Sequence, residues 1–200
     1  MLRLLPPFRR LVPLLAVSAL LACAGGPGER PVAAFDMQDL PAPAMFQQLA
    51  QGLGRPVVLE LPPGPVNLRF DVHLKRTNER EILEEICQRD PSFQFRILPG
   101  TSLLYPTGEA EAKSPFSARL ATVTLAGSAA EVARKLMEQF GLTAAVLQVD
   151  SVAGRRPVAL ALTNATLRDA LAEMAAQAHL TLVVEPTKVR VGPAAEASDR

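Results

Sequence analysis

The chain has 200 residues, with 21 Lys or Arg against 20 Asp or Glu, a formal net charge of +1, and 48% apolar residues of which few are aromatic. Charge this evenly balanced gives neither the basic footprint of a nucleic-acid binder nor an acidic surface for a cationic partner. The apolar content allows one medium domain or two small ones, and the 18 prolines sit at segment edges instead of forming a low-complexity run.

Arg3, Arg9 and Arg10 make a positive head ahead of Leu11 to Ala22, an apolar run too short for a comfortable membrane span. The run ends Leu20-Leu21-Ala22-Cys23, and Ala-Gly-Gly-Pro-Gly follows. This resembles a bacterial lipoprotein signal, in which Leu stands three places before the cysteine, a small residue stands just before it, and the cysteine carries lipid. The resemblance implies a signal peptide at 1–22 and a lipid on Cys23. Residues 23–31, rich in Gly and Pro, then form a flexible tether. Several acyl chains on one N-terminus bury far more surface than one, so such an anchor is stable. No aspartate follows Cys23. By the retention rule of enterobacterial lipoproteins, that implies attachment to the outer membrane, facing the periplasm. With Cys23 modified, Cys87 is the one thiol left and no intrachain disulfide can form; it reads as a small buried hydrophobe, not a reactive thiol.

Val32 to Met37 reads as a short strand. Pro41-Ala-Pro-Ala leads into a helix with the apolar stripe Phe46, Leu49, Ala50 and Leu53, and Gly54 stops it. Val57, Val58, Leu59 and Leu61 form the next strand, and Pro62-Pro-Gly-Pro65 is a stiff turn. From Asn67 to Lys75, Leu68, Phe70, Val72 and Leu74 alternate with Asn67, Arg69, Asp71, His73 and Lys75, which predicts a strand with one wet face. Asn78 with Glu81 is a capping signal, and Ile82, Leu83 and Ile86 give the helix behind it an apolar stripe. Phe93, Phe95 and Ile97 return to period two, and Pro99-Gly100 turns them into Ser102–Tyr105 as a hairpin.

Polar and small residues dominate from Thr107 to Ser117, and a linker is expected at 107–118. The same order of signals then recurs. Ala121, Val123 and Leu125 alternate, Ser128 with Glu131 caps a helix with the stripe Val132, Ala133, Leu136 and Phe140, and Ala145 to Val149 is a strand. Val158, Leu160 and Leu162 alternate before Thr166 and Asp169 cap a helix lined by Leu167, Ala170, Leu171, Met174 and Ala178. Leu180, Leu182 and Val184 form the returning strand, and Lys188–Val191 closes the unit. Residues 194–200 carry no pattern and are expected to be a disordered tail. The two halves match at an offset of about 88 residues, an internal duplication. The expected fold is α+β: two tandem β-α-β-β-α-β-β modules, at 32–106 and 119–193, each with two helices packed on small sheets.

Phe35-Asp36-Met37, a helix ending Gln48-Leu-Ala-Gln-Gly-Leu-Gly54, an apolar strand and a second strand–helix–hairpin resemble a known family. It is the secretin and TonB short N-terminal (STN) domain, found at the periplasmic start of secretin channels and of signal-transducing outer-membrane receptors. There the pattern is Phe-Asp-Ile, a helix with Leu and Ala spaced like Phe46, Leu49 and Ala50, and a Gly at the position of Gly54. The similarity covers Ala34 to Pro106. The second module is similar as a more diverged relative over Arg119 to Gly192, without the Phe-Asp opening. The resemblance implies a protein-interaction module with no catalytic residues to carry over. No membrane barrel or receptor plug follows in this sequence, so the docking role is carried over and the pore and receptor roles are not.

The residues capable of chemistry are few. His73 lies between Asp71 and Lys75 on the polar face of its strand, and His179 ends a helix, where a cation near the last carbonyls is favourable. Glu79, Glu81, Glu84 and Glu85 with Arg76, Arg80 and Arg89 read as a solvated helix face. Asp150-Ser151 has no base partner, and metal-ligand spacings and Gly-rich phosphate loops are missing, so no metal, cofactor or enzymatic activity is expected. The expected role is that of a lipid-anchored periplasmic interaction module, an adaptor or assembly component of a secretin-type export or pilus machine. Its partner would be an envelope protein such as a secretin or another outer-membrane complex. The docking surface is expected at the edge of the strand Val66–Lys75, with Arg69, Asp71 and His73 as contact residues. An alternative is a periplasmic carrier whose modules enclose an apolar ligand. A third, an enzyme, would need a buried convergent set of titratable side chains.

Overall fold

Three reciprocal helix caps anchor the chain where the sequence places them. The side chains of Asn78, Ser128 and Thr166 accept from the backbone N–H of Glu81, Glu131 and Asp169, and each acid accepts in return from the cap residue's own N–H. Each cap satisfies two helix-end groups that otherwise lack partners, and losing such a cap typically costs about 1 kcal/mol. The computed structural model describes residues 28–37, 42–62, 71–142, 146–185 and 187–193. The expected signal peptide, Cys23, Arg69 with the rest of 63–70, and the tail from 194 lie outside the described residues.

The fold is α+β. The first repeat runs β1 (Pro31–Met37), α1 (Ala42–Leu53), β2 (Val57–Glu60), β3 (Val72–Asn78), α2 (Glu79–Arg89), β4 (Phe93–Leu98) and β5 (Thr101–Pro106). After α3 (Gly108–Ala112) and a 3-10 turn at Pro115–Ser117, the same order returns. It comprises β6 (Arg119–Ser128), α4 (Ala129–Gln139), β7 (Val146–Val149), β8 (Pro157–Thr166), α5 (Leu167–Ala178), β9 (Leu180–Glu185) and β10 (Lys188–Pro193). Gly54 at φ 59° lets the chain leave α1 for β2, a left-handed turn that a side chain resists.

Strand pairing repeats with the order. β1 pairs antiparallel with β3 as a two-stranded ribbon, and β6 pairs likewise with β8. β5 lies between an antiparallel β4 and a parallel β2; β10 lies between an antiparallel β9 and a parallel β7. Even an irregularity recurs. Pairing skips Arg76 opposite Ala33 and Asn164 opposite Ala121, and both Arg76 (φ 53°) and Asn164 (φ 49°) are left-handed. Two unrelated strands would not share that costly kink at the same distance from a helix cap.

The two repeats are fused in a way that their separate sequences do not foretell. β2 pairs in parallel with β9, so three strands from each merge into one six-stranded sheet ordered β4-β5-β2-β9-β10-β7. The helices of the first repeat cover one face of it. Leu49, Leu83 and Ile86 pack there with Val57, Leu59 and Leu104, and Val183 joins them from the second repeat. The helices of the second repeat cover the other face, where Leu136, Leu171 and Met174 pack with Leu182 and Val191 and take in Val58, Leu103 and Tyr105 from the first. This two-sided use explains why every residue of β2 and β5 is buried. The stretch 107–118 joins the repeats as a packed segment: Phe116, 1% exposed, fills the second core, an apolar anchor amid polar neighbours. No helix among the described residues is long and apolar enough to cross a membrane.

Candidate functional site

Two polar clusters stand out, one on the surface and one between the repeats. On the surface, β1 and β3 set Asp36 directly across from His73. His73 Nδ1 lies 2.7 Å from Asp36 Oδ1, and its Nε2 lies 3.1 Å from Asp71 Oδ1. All three side chains are more than half exposed. The imidazole sits between two carboxylates, one facing each of its ring nitrogens. Of the expected contact residues, Asp71 and His73 are thus brought together, and Arg69 lies outside the described residues. Asp36, which the sequence shows only as the middle of Phe35-Asp36-Met37, joins Asp71 and His73 because the antiparallel register of β1 and β3 sets it opposite His73.

Between the repeats sits a buried ionic knot. Glu60 ends β2 with a side chain 3% exposed, and Arg168 occupies the first turn of α5 with a side chain 6% exposed. Arg168 Nε and Nη2 donate to the two Glu60 oxygens at 2.5 and 3.1 Å, and Ser114 Oγ donates to Oε1 at 2.5 Å. Arg168 Nη1 reaches Glu111 at 3.2 Å, and the guanidinium stacks 4.3 Å above the Tyr105 ring. Burial works against the charge on Arg168, but the hydrogen bond and charge of Glu60, with Glu111, more than offset it and hold the guanidinium above its ordinary range. Both Glu60 oxygens are engaged, so the knot anchors chain segments and offers no poised base. Beside it lies a cavity of about 110 Å³ lined by Glu60, Leu61, Pro106, Ser114, Pro115 and Phe116. That is room for a few water molecules and well short of the ~300 Å³ from which sites for drug-sized ligands start.

A second buried pair corrects the expectation for α2. Glu79, read as part of a solvated face, is 2% exposed. Arg55 Nη1 donates to it at 2.8 Å, and the Ser102 hydroxyl donates to its other oxygen. His179 caps α5 at φ 49°, and its carbonyl, with that of Ala178, accepts from Arg156. Burial, with Asp90 adding to it, pushes the Cys87 thiol up to about 11. Among the described residues no group of three or more His, Cys, Asp or Glu is placed to hold a metal ion. Glu60, Arg168 and Glu111 were not legible as a set. An isolated Glu at the end of an apolar strand and an Arg in a helix's first turn look like ordinary surface positions until the repeats dock.

Compared with protein-family models, curated proteins and solved structures, the chain matches none of them.

Proposed function

We propose that the chain is a lipid-anchored protein-interaction module on the periplasmic side of the outer membrane. It would act as an adaptor or assembly component of an envelope machine of the secretin-type export or pilus kind. The observation that carries this reading is the β2–β9 junction. In it, an edge strand of one repeat receives a strand of another, and an ion pair locks the contact. A fold that recognises its own second copy by strand addition has the means to recognise another protein in the same way. The Asp36–His73–Asp71 cluster adds an exposed polar patch of two carboxylates and an imidazole on a two-stranded ribbon, suited to specificity more than to affinity. The lipobox-like Leu20–Cys23 supports the anchor, and the Phe35-Asp36-Met37 opening supports kinship with STN domains.

The test is capture of envelope proteins from detergent-solubilised membranes by the wild-type chain and by an Asp36→Ala/His73→Ala variant. The expected result is a specific envelope partner with the wild type, weakened by the double substitution while the melting temperature stays nearly unchanged. Wild-type recovery of every partner by the variant would remove this patch as the docking surface.

A further inference from the structure

The join between the two repeats is heterologous: the β2 side of the first meets the β9 side of the second. Such a contact uses two different surfaces, so it leaves one of each unused at the ends of the pair. Here the unused surfaces are the β4–α2 end of the first repeat and the β7–β10 end of the second. Among the described residues neither β4 nor β7 has a strand on its outer side.

Strand registers tell which residues stand where. Matching the hairpin turns sets Thr101 with Lys188, Leu103 with Arg190 and Tyr105 with Gly192. The parallel pairs then set Val58 with Gln148 and Glu60 with Asp150. Matching the helix caps, Asn78 with Thr166, sets Arg80 with Arg168 and Glu84 with Ala172. Two consequences follow. The Glu60–Arg168 pair that locks the internal junction has its counterparts in Asp150 and Arg80, both exposed, toward opposite ends of the six-stranded sheet. Inside the chain the rest of the junction combines apolar packing with a second, partly exposed ion pair, Arg96 with Asp169 at 3.1 Å, whereas at the ends it is ionic. Inside, α5 lays Ala172 and its neighbours on Leu103 and Tyr105. The fit is so close that a methyl on Gly100 would sit 2.9 Å from the Ala176 Cβ. At the ends, the receiving sheet carries Lys188 and Arg190, and the helix to be received carries Glu84. Arg190 is held by Glu185 at 3.1 Å, and Lys188 makes no ion pair among the described residues.

We propose that a second copy of this chain docks on the β7–β10 end through its β4–α2 end, continuing the sheet as β9 continues β2, with Arg80 and Glu84 of one copy facing Asp150, Lys188 and Arg190 of the next. The two surfaces carry opposite charges at two positions, Arg80 against Asp150 and Glu84 against Lys188 and Arg190, and the contact continues an interface already built into the chain. Because it is heterologous, it is not a two-fold contact; it joins copies head to tail. With ions in place of a packed apolar seam, it forms reversibly and weakens as salt shortens the range of charge interactions. The proposal stands on repeat geometry and does not depend on the adaptor role.

Sedimentation velocity on the full chain in detergent micelles tests it, with far-UV circular dichroism as the check on folding. At low ionic strength the weight-average mass should rise with concentration to about twice the monomer or more, and ~0.5 M salt should return it to the monomer. Glu84→Lys alone and Lys188→Glu/Arg190→Glu alone should each remain monomeric at low salt, and an equal mixture of the two should associate again. A wild-type chain that stays monomeric at low salt overturns the proposal. So does association that persists unchanged in both reversed-charge variants, or a mixture that fails to recover.

Discussion

Arg168 reaches out of the second repeat to grip Glu60 of the first with two nitrogens, at 2.5 and 3.1 Å, and both side chains are almost wholly buried. The pair fastens the first turn of α5 to the end of β2, next to the point where β2 and β9 pair. Taking both charges out of water is costly. The pair holds its place because the guanidinium also finds Glu111 and Tyr105, and the carboxylate finds Ser114.

Removing one partner should therefore hurt more than removing both. Glu60→Gln or Arg168→Met leaves a buried charge without its counter-charge and is expected to cost about 3–5 kcal/mol. The double variant Glu60→Leu/Arg168→Met should lose distinctly less than the sum of the single losses. Urea unfolding of the four proteins measures this coupling, and additive losses would mean that the two side chains do not act as a pair.

The shared sheet predicts one unfolding transition for both repeats. Val183 contributes to the first core, and Val58, Leu103 and Tyr105 contribute to the second, so neither core survives the loss of the other. Leu83→Ala and Leu171→Ala, both fully buried, should each cost about 2–5 kcal/mol. Each should shift a single transition seen alike by circular dichroism and by fluorescence of the one tyrosine, Tyr105. Two separable transitions, each moved by only one of the substitutions, would contradict the fusion.

Asp169 gives the fold a defined response to acid. Burial alone would raise its carboxyl, but hydrogen bonds from the Thr166 hydroxyl and backbone, with the Arg96 guanidinium, hold it below its ordinary 3.8. A carboxyl lowered in the folded state contributes stability that is present above its unfolded value and lost as pH falls through the folded one. Wild-type stability should therefore decline from about pH 4 downward more steeply than that of Asp169→Asn. Parallel acid titrations of the two proteins by circular dichroism would expose an error in this assignment.

Cys87, half-buried on α2 with its thiol raised to about 11, should be nearly silent toward alkylation. At pH 7.5 only a minute fraction is thiolate, the reactive form. Iodoacetamide should label it slowly in the native protein and rapidly in urea, followed by mass spectrometry. Equal rates in the two conditions would place the thiol in solvent.

The anchor makes the last prediction. Growth with a fatty-acid analogue should label the wild-type chain and leave Cys23→Ser unlabelled. Equal labelling of both would remove the lipid from the proposed function.

Local signals in the sequence were enough to place most of the elements. Alternation at Phe93–Ile97 and Val158–Leu162 makes strands, and the Asn78, Ser128 and Thr166 caps start helices, because period and capping depend on residues a few positions apart. The recurring order of elements was legible for the same reason: it repeats local signals in order. What sequence alone left undecided is how the copies meet. Val57, Val58 and Leu59 read as one apolar run, and only the docking of β9 beside β2 and of helices on both faces gives adjacent residues to different cores. Glu60 and Arg168 are 108 positions apart and each looks like a surface charge, as does Glu79 opposite Arg55. A charge is buried when a distant partner compensates the loss of water. That partner is chosen by tertiary packing, which no local window of sequence contains.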